Sequence, residues 1–283
     1  MLEILKAILF GVVEGITEWL PISSTGHLIL LNRWVTLQIS DAFYEMFEVV
    51  IQLGAILAVL VLFFGKLNPF RFHARAAGEP WGAWAKTTLA GRRETWRLWG
   101  MVVIAVIPSA VVGLLLDDWM DAHLYNYLVV ALMLIVYGVA FIAVEKLSLG
   151  MRIKVRDVQD IDWRTALYMG FFQCLALVPG TSRSGATILG GILVGVARPA
   201  AAEFSFFMAI PTMLGASALK LVKFALEGNS ATGLELGVLA VGCVVSFIVS
   251  LAVIKGLMEY VRSHDFSVFG IYRIVLGVLV LLV

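Results

Sequence analysis

Ser23, Ser24, Thr25 and His27 follow Pro21 in one short polar stretch, and Thr181, Ser182, Arg183 and Ser184 follow Pro179 in another. Hydroxyls, glycine amides, a guanidinium and an imidazole are the groups that hold and cleave phosphate. Just upstream of the first stretch, Glu14 and Glu18 stand four residues apart, which on a helix sets both carboxylates on one face, about 6 Å apart. Two like charges kept together out of water need a divalent cation, a neighbouring Arg or His, or a shared proton. One reading is Mg²⁺ or Ca²⁺ held by Glu14 and Glu18, completed by phosphate oxygens and water. The other is a metal-free pair satisfied by Arg183.

Pro21 and Pro179 are expected to stop one half-helix, and the hydroxyls after them to cap the next, beginning near Gly26 and near Gly185. A helix N-terminus carries roughly half a positive charge, so two of them facing one cavity suit an anion. Ser23, Thr25, Gly26, Thr181, Ser182, Ser184, Gly185 and Thr187 are therefore the candidate phosphate-binding residues. Glu14, Glu18, Ser24, His27 and Arg183 are the candidates for catalysis. Helix caps and a snorkelling arginine would be the plainer account. It explains poorly an arginine flanked by Ser182 and Ser184 and bordered by Gly180 and Gly185. His27 is the one histidine in an apolar stretch, since His73, His123 and His264 fall in loops. Either Ser24 attacks phosphorus with His27 as general base, or the imidazole attacks to give a phosphohistidine. The residues alone do not separate these routes.

The setting for this chemistry is oily. With 61% hydrophobic and 14% charged residues, the chain is far less charged than a soluble domain, where about a quarter of residues carry charge. Mean hydropathy is +0.95. A net charge of +1 and the lack of a Lys/Arg-rich run argue against a nucleic-acid partner. Cys174 and Cys243 lie in apolar stretches and read as small buried side chains. Glu14 and Glu18 interrupt the first apolar stretch and no basic segment precedes it, so it is expected to stay in the mature protein.

Six stretches suffice to cross a bilayer, near 43–64, 98–116, 124–145, 203–224, 235–257 and 267–283. Two more, 1–35 and 163–197, are broken by the polar loops and read as re-entrant helical hairpins, because irregular backbone at membrane depth must be buried in protein or line a wet cavity. Trp34, Trp96, Trp99, Trp119 and Trp163 fall near segment ends, as interfacial anchors do. Basic residues crowd the links Lys66 to Arg97 and Lys146 to Arg164, and none occurs in Asp117–Asp121 or in Glu227–Glu235. The first two links are expected on the cytoplasmic side and the others outside. The broken hairpins then enter from opposite sides. At an offset of 159 residues Gly11 meets Gly170, Glu14 meets Gln173, Ser23 meets Ser182, Thr25 meets Ser184, Gly26 meets Gly185 and Leu30 meets Leu189. The expected fold is an all-α polytopic membrane protein of six transmembrane helices plus two re-entrant hairpins in an inverted-topology repeat. It forms one integral membrane domain over 1–283, with halves 1–145 and 146–283.

The segment from Glu14 to Pro21, followed by Ser23-Ser24-Thr25-Gly26-His27, together with the segment from Pro179 to Thr187, resembles the bacterial undecaprenyl-diphosphate phosphatases, also called bacitracin-resistance proteins. Phe47 to Gly54 and Glu203 to Phe206 resemble further family segments, and the likeness runs through nearly the whole chain. The resemblance implies removal of the terminal phosphate from a C55 polyprenyl diphosphate, recycling the carrier lipid of peptidoglycan synthesis in the bacterial plasma (inner) membrane. It also implies a site open to the periplasmic or outer side, a divalent-metal requirement, Glu14 and Glu18 as the paired acidic motif, and resistance to bacitracin on overexpression. The chain departs from the family in a longer, Trp- and Arg-containing loop around 71–97.

A prenyl substrate also fits the residues independently. Each buried CH₂ is worth roughly 0.8 kcal/mol, so a long tail stays in the bilayer and only the headgroup enters a polar cavity. The expected partners are that lipid and the surrounding membrane, with a homodimer left open. Glu45, Glu48 and Gln52 share one side of the first full span, and Arg273 sits unassigned in the last. Broken helices in opposed hairpins also suit a secondary transporter or lipid flippase that binds phosphate without cleaving it. The acid-phosphatase superfamily, with Ser-Arg and a histidine six residues on, fits poorly, because six residues after Arg183 stands Leu189.

Overall fold

The computed structural model describes residues 1–70, 80–82, 88, 91–148 and 151–282. Arg71, Arg75, Glu79 and Lys86, with most of the longer loop around 71–97, lie outside the described residues. In chain order the helices are α1 (Leu2–Thr17), α2 (Ser24–Trp34), α3 (Asp41–Val50), α4 (Gln52–Leu62), α5 (Phe64–Leu67), α6 (Arg93–Leu124), α7 (Tyr127–Ser148), α8 (Trp163–Leu175), α9 (Arg183–Leu193), α10 (Arg198–Leu226), α11 (Gly233–Ser263) and α12 (Ser267–Leu282). A 3₁₀ turn at Val158–Asp160 and an isolated β-bridge between Val155 and Val196 complete the described regular structure. The protein is an all-α membrane protein.

Five stretches are long and apolar enough to cross a bilayer: Asp41–Leu62, which is α3 and α4 joined by a turn at Ile51, Arg93–Leu116 of α6, α7, α10 and α11. The sixth expected span, α12, is an apolar helix of 16 residues, about 24 Å long against roughly 30 Å of hydrocarbon. Both polar loops break their apolar stretches as the prolines suggest. The helices stop earlier than expected, at Thr17 and Leu175, and the chain takes several turn residues to reach each proline.

Burial within these helices follows lipid rather than water. Along α7, Leu128, Leu132, Val136 and Val139 are exposed, whereas Val130, Ala131, Leu134, Gly138 and Phe141 are buried. Both faces are apolar, so the exposed one has hydrocarbon as its natural solvent. Trp34, Trp96, Trp119 and Trp163 are exposed, in keeping with interfacial anchoring.

The helices pair across the chain's two halves. α1 runs along α11, α8 along α6, and α7 along α12. The last pair meets at two glycines: a Cβ added to Gly138 would stand 2.7 Å from the carbonyl oxygen of Gly270, and one added to Gly270 would stand 2.7 Å from that of Gly138. Gly11 and Gly170 do the same for the other pairs, with added Cβ atoms 2.7 Å from Gly242 O and 2.2 Å from Ala105 O. Such backbone approach is how helices associate where apolar burial gains little over lipid. At one end of the bundle, Glu145 accepts from Nε and Nη2 of Arg198 and from the Phe266 N–H, tying the ends of α7, α10 and α12 together.

Candidate active site

Each broken hairpin turns at a serine with the same unusual backbone. Ser23 and Ser182 both have φ of 72°, the two described non-glycine residues with positive φ. Such a conformation costs about 1–3 kcal/mol and persists only where the surroundings impose it. Both serines are N-caps: Ser23 Oγ accepts from the Gly26 N–H at 3.4 Å, and Ser182 Oγ from the Gly185 N–H at 3.2 Å. The residue after each serine is the first of its helix, Ser24 in α2 and Arg183 in α9. One turn geometry thus delivers a hydroxyl from one loop and a guanidinium from the other.

They converge on Glu18. Ser24 Oγ donates to Glu18 Oε2 at 2.8 Å, and Arg183 Nη2 donates to Glu18 Oε1 at 3.2 Å. Arg183 is steadied from behind, with Nη1 donating to the Ser205 carbonyl at 2.7 Å and the guanidinium lying 5.9 Å from the Trp19 ring centroid. Its Nε has no partner. A buried charged donor in that state has capacity for one more oxygen. Ser184 donates to the Glu18 carbonyl at 3.2 Å, and Thr187 bonds to Ser205 Oγ at 2.6 Å, so these two hydroxyls brace the site.

The cluster forms one wall of a cavity of about 360 Å³ between α6 and α10. Glu18, Ser23, Ser24, Thr25, Ser182 and Arg183 line it together with Gln52 and Gln173. Val106, Leu114, Met213 and Leu219 add apolar side chains to its lining, which falls on the central turns of α6 and α10. Gln173 donates to Ser109 Oγ at 2.6 Å and to Thr212 Oγ1 at 3.1 Å, forming a second polar group on the wall.

Not every expected residue gathers there. His27 is turned away from Ser24: its Nδ1 meets the Ser23 carbonyl at 2.7 Å and its Nε2 the Tyr272 hydroxyl at 2.7 Å, with the two rings stacked 5.6 Å apart. The carbonyl only accepts, so a neutral His27 carries its proton on Nδ1 and takes the tyrosine proton at Nε2. Thr181 is fully buried and its hydroxyl has no partner, while the Gly26 and Gly185 amides are spent on caps. Glu14 lies one helical turn before Glu18, 0% exposed, with both carboxylate oxygens unpartnered. A carboxylate so placed demands a cation or a proton. Among the described residues no three His, Cys, Asp or Glu side chains come together as metal ligands. Of the two carboxylates expected to hold a cation, Glu14 is not among the residues that line the cavity, and both oxygens of Glu18 accept from Ser24 and Arg183. Ser109, Thr212 and Tyr272 carry no motif signal and only packing reveals them, whereas Ser205 lies in the Glu203 to Phe206 family segment.

Comparison with known proteins agrees with this geometry. The family model described as "Bacitracin resistance protein BacA" matches residues 7–279. A protein of Streptococcus thermophilus named undecaprenyl-diphosphatase is 55% identical over 281 residues, covering 99% of this chain and 93% of that relative. Proteins of the same name from Enterococcus faecalis and Lactiplantibacillus plantarum are each 54% identical, covering 100% and 99% of this chain and 97% and 98% of their own lengths. A match across almost every helix, including both loops that meet at Glu18, places the chain in the bacitracin resistance protein BacA family.

Proposed function

We propose that this chain is a membrane phosphatase that hydrolyses the terminal phosphate of undecaprenyl diphosphate, giving undecaprenyl phosphate and inorganic phosphate and so recycling the carrier lipid of peptidoglycan synthesis. The names carried by relatives at 54–55% identity support the substrate. The observation that carries the chemistry is the single carboxylate of Glu18 shared between Ser24 Oγ and Arg183, on the wall of a cavity that turns from polar to apolar. The headgroup sits against the loops, and the prenyl tail leaves between α6 and α10 into the bilayer.

Ser24 Oγ attacks the terminal phosphorus while Glu18 takes its proton, and the bond from phosphorus to the bridging oxygen breaks, so undecaprenyl phosphate leaves with the electron pair. Water then attacks the phosphoserine, releasing inorganic phosphate and restoring the hydroxyl. Arg183 steadies charge on the equatorial oxygens while Nη2 stays on Glu18. His27, bonded to the Ser23 carbonyl, holds the strained turn that presents Ser24. Glu14 and Glu18 would hold Mg²⁺ or Ca²⁺. That ion supplies charge neutralisation at the phosphate oxygens.

Three finer points belong to the same reading. The halves 1–145 and 146–283 form an inverted repeat, supported by the equal φ of Ser23 and Ser182 and by the reciprocal contact of Gly138 with Gly270. The cavity opens toward the periplasmic or outer side of the plasma membrane, supported by the family resemblance and by the basic links Lys66 to Arg97 and Lys146 to Arg164, which are expected on the cytoplasmic side. A homodimer is compatible with a cavity walled by one chain. Opposed broken hairpins also favour a carrier, and one assay separates the two: purified protein in detergent, with no gradient, releases phosphate from a short-chain prenyl diphosphate if it is an enzyme. Uptake by sealed vesicles without hydrolysis would instead establish a transporter.

A further inference from the structure

Arg273 lies in the middle of α12, 0% exposed, and among the described residues it has no carboxylate partner. Its guanidinium donates only to backbone carbonyls. Nη1 reaches Pro21 O at 3.1 Å, in the first polar loop. Nη2 reaches Gly180 O at 2.8 Å and Thr181 O at 2.9 Å, in the second, and Met133 O of α7 at 3.4 Å. The ring of Tyr137 lies 5.7 Å from the guanidinium carbon. One planar fork therefore joins two loops that are remote in sequence.

We infer that Arg273 is a positioning residue that fixes the two phosphate-facing loops relative to one another, an inference that rests on the reading of Glu18, Ser24 and Arg183 as the reacting cluster. Burying a cation among neutral carbonyls is costly, and a leucine would fill a lipid-exposed helix more cheaply. Neither usual reason for an intramembrane arginine applies, since a fully buried side chain neither snorkels nor faces headgroups. What the fork does is geometric. A peptide unit is planar, so holding the carbonyls of Pro21, Gly180 and Thr181 also fixes the direction of the N–H groups of Ile22, Thr181 and Ser182. Those units lead directly into the positive-φ serines, and the next residues are Ser24 and Arg183. The adjacent residue repeats the connection through a side chain, because the Tyr272 hydroxyl bonds to His27, which bonds to the Ser23 carbonyl. Consecutive residues of α12 thus reach both loops, and a lysine at 273 has a single point charge in place of a fork.

Arg273→Met and Arg273→Lys, compared with Ser24→Ala in the purified full-length protein, test this through phosphate release from a short-chain prenyl diphosphate. With the loops free to drift by about an ångström, Arg273→Met is expected to lose about 100-fold in kcat while KM stays within about threefold. Arg273→Lys is expected to lose about tenfold in the same parameter, and it carries the test if the methionine variant does not fold. Wild-type kcat in either variant overturns the inference, as does a loss that merely follows the folded fraction seen by thermal unfolding. Wild-type turnover by Ser24→Ala would instead sink the reading of the cluster, whatever Arg273 does.

Discussion

At the scale of single residues the proposed mechanism separates groups that would touch phosphate from groups that hold them. Ser24→Ala and Glu18→Gln are expected to lower phosphate release by at least about 10³-fold, because in the proposed mechanism they remove the nucleophile and its proton acceptor. His27→Ala should cost only about 10- to 100-fold, since His27 acts on Ser24 through the Ser23 carbonyl, and trapped phospho-enzyme should survive in that variant. Phosphate on a histidine in wild-type protein would reverse the assignment. Glu14 is tested apart from turnover: Mg²⁺ should raise the melting temperature of the wild type and leave Glu14→Gln unmoved, and EDTA should silence wild-type activity. Equal stabilisation of both proteins would remove Glu14 from the metal. The residue types in the two polar loops were legible in the sequence because no fold in lipid keeps Ser24 and Arg183 near the bilayer interior without use. The bonds of His27 were not legible, because Tyr272 lies 245 positions away and only the packing of α12 on the first hairpin brings it near.

Among the elements, glycine at crossing points does what large apolar side chains do in a soluble core. A leucine at Gly138 would drive its Cβ to within 2.7 Å of the Gly270 carbonyl, so α7 and α12 must part. Gly138→Leu is expected to cost about 1–3 kcal/mol, read as a lower unfolding temperature in detergent. Gly180 is constrained twice over, by φ of +89° and by Val130 O at 2.5 Å from an added Cβ. Helix breaks and caps were readable in the order proline, hydroxyl, glycine, and Ser23 and Ser182 prove to be the caps. The early ends at Thr17 and Leu175 and the turn at Ile51 were not, since a fray of a few residues is decided by what the freed carbonyls meet in three dimensions.

For the whole molecule, the cavity beside the site lies between α6 and α10. Ala216→Cys, in a background lacking Cys174 and Cys243, should react with a membrane-impermeant thiol reagent added outside intact cells, and a prenyl diphosphate analogue should slow it. Reaction only from the cytoplasmic side would invert the orientation. The sequence matches 159 residues apart pair Ser23 with Ser182 yet omit the pair that matters most, Ser24 against Arg183. Identical bends end in unlike side chains. A symmetric assembly of two copies of either half would bring together two hydroxyls or two guanidinium groups, never one of each. Splitting the gene into halves and doubling either one should therefore yield an inert protein, whereas co-expressing both fragments has every component needed to restore turnover.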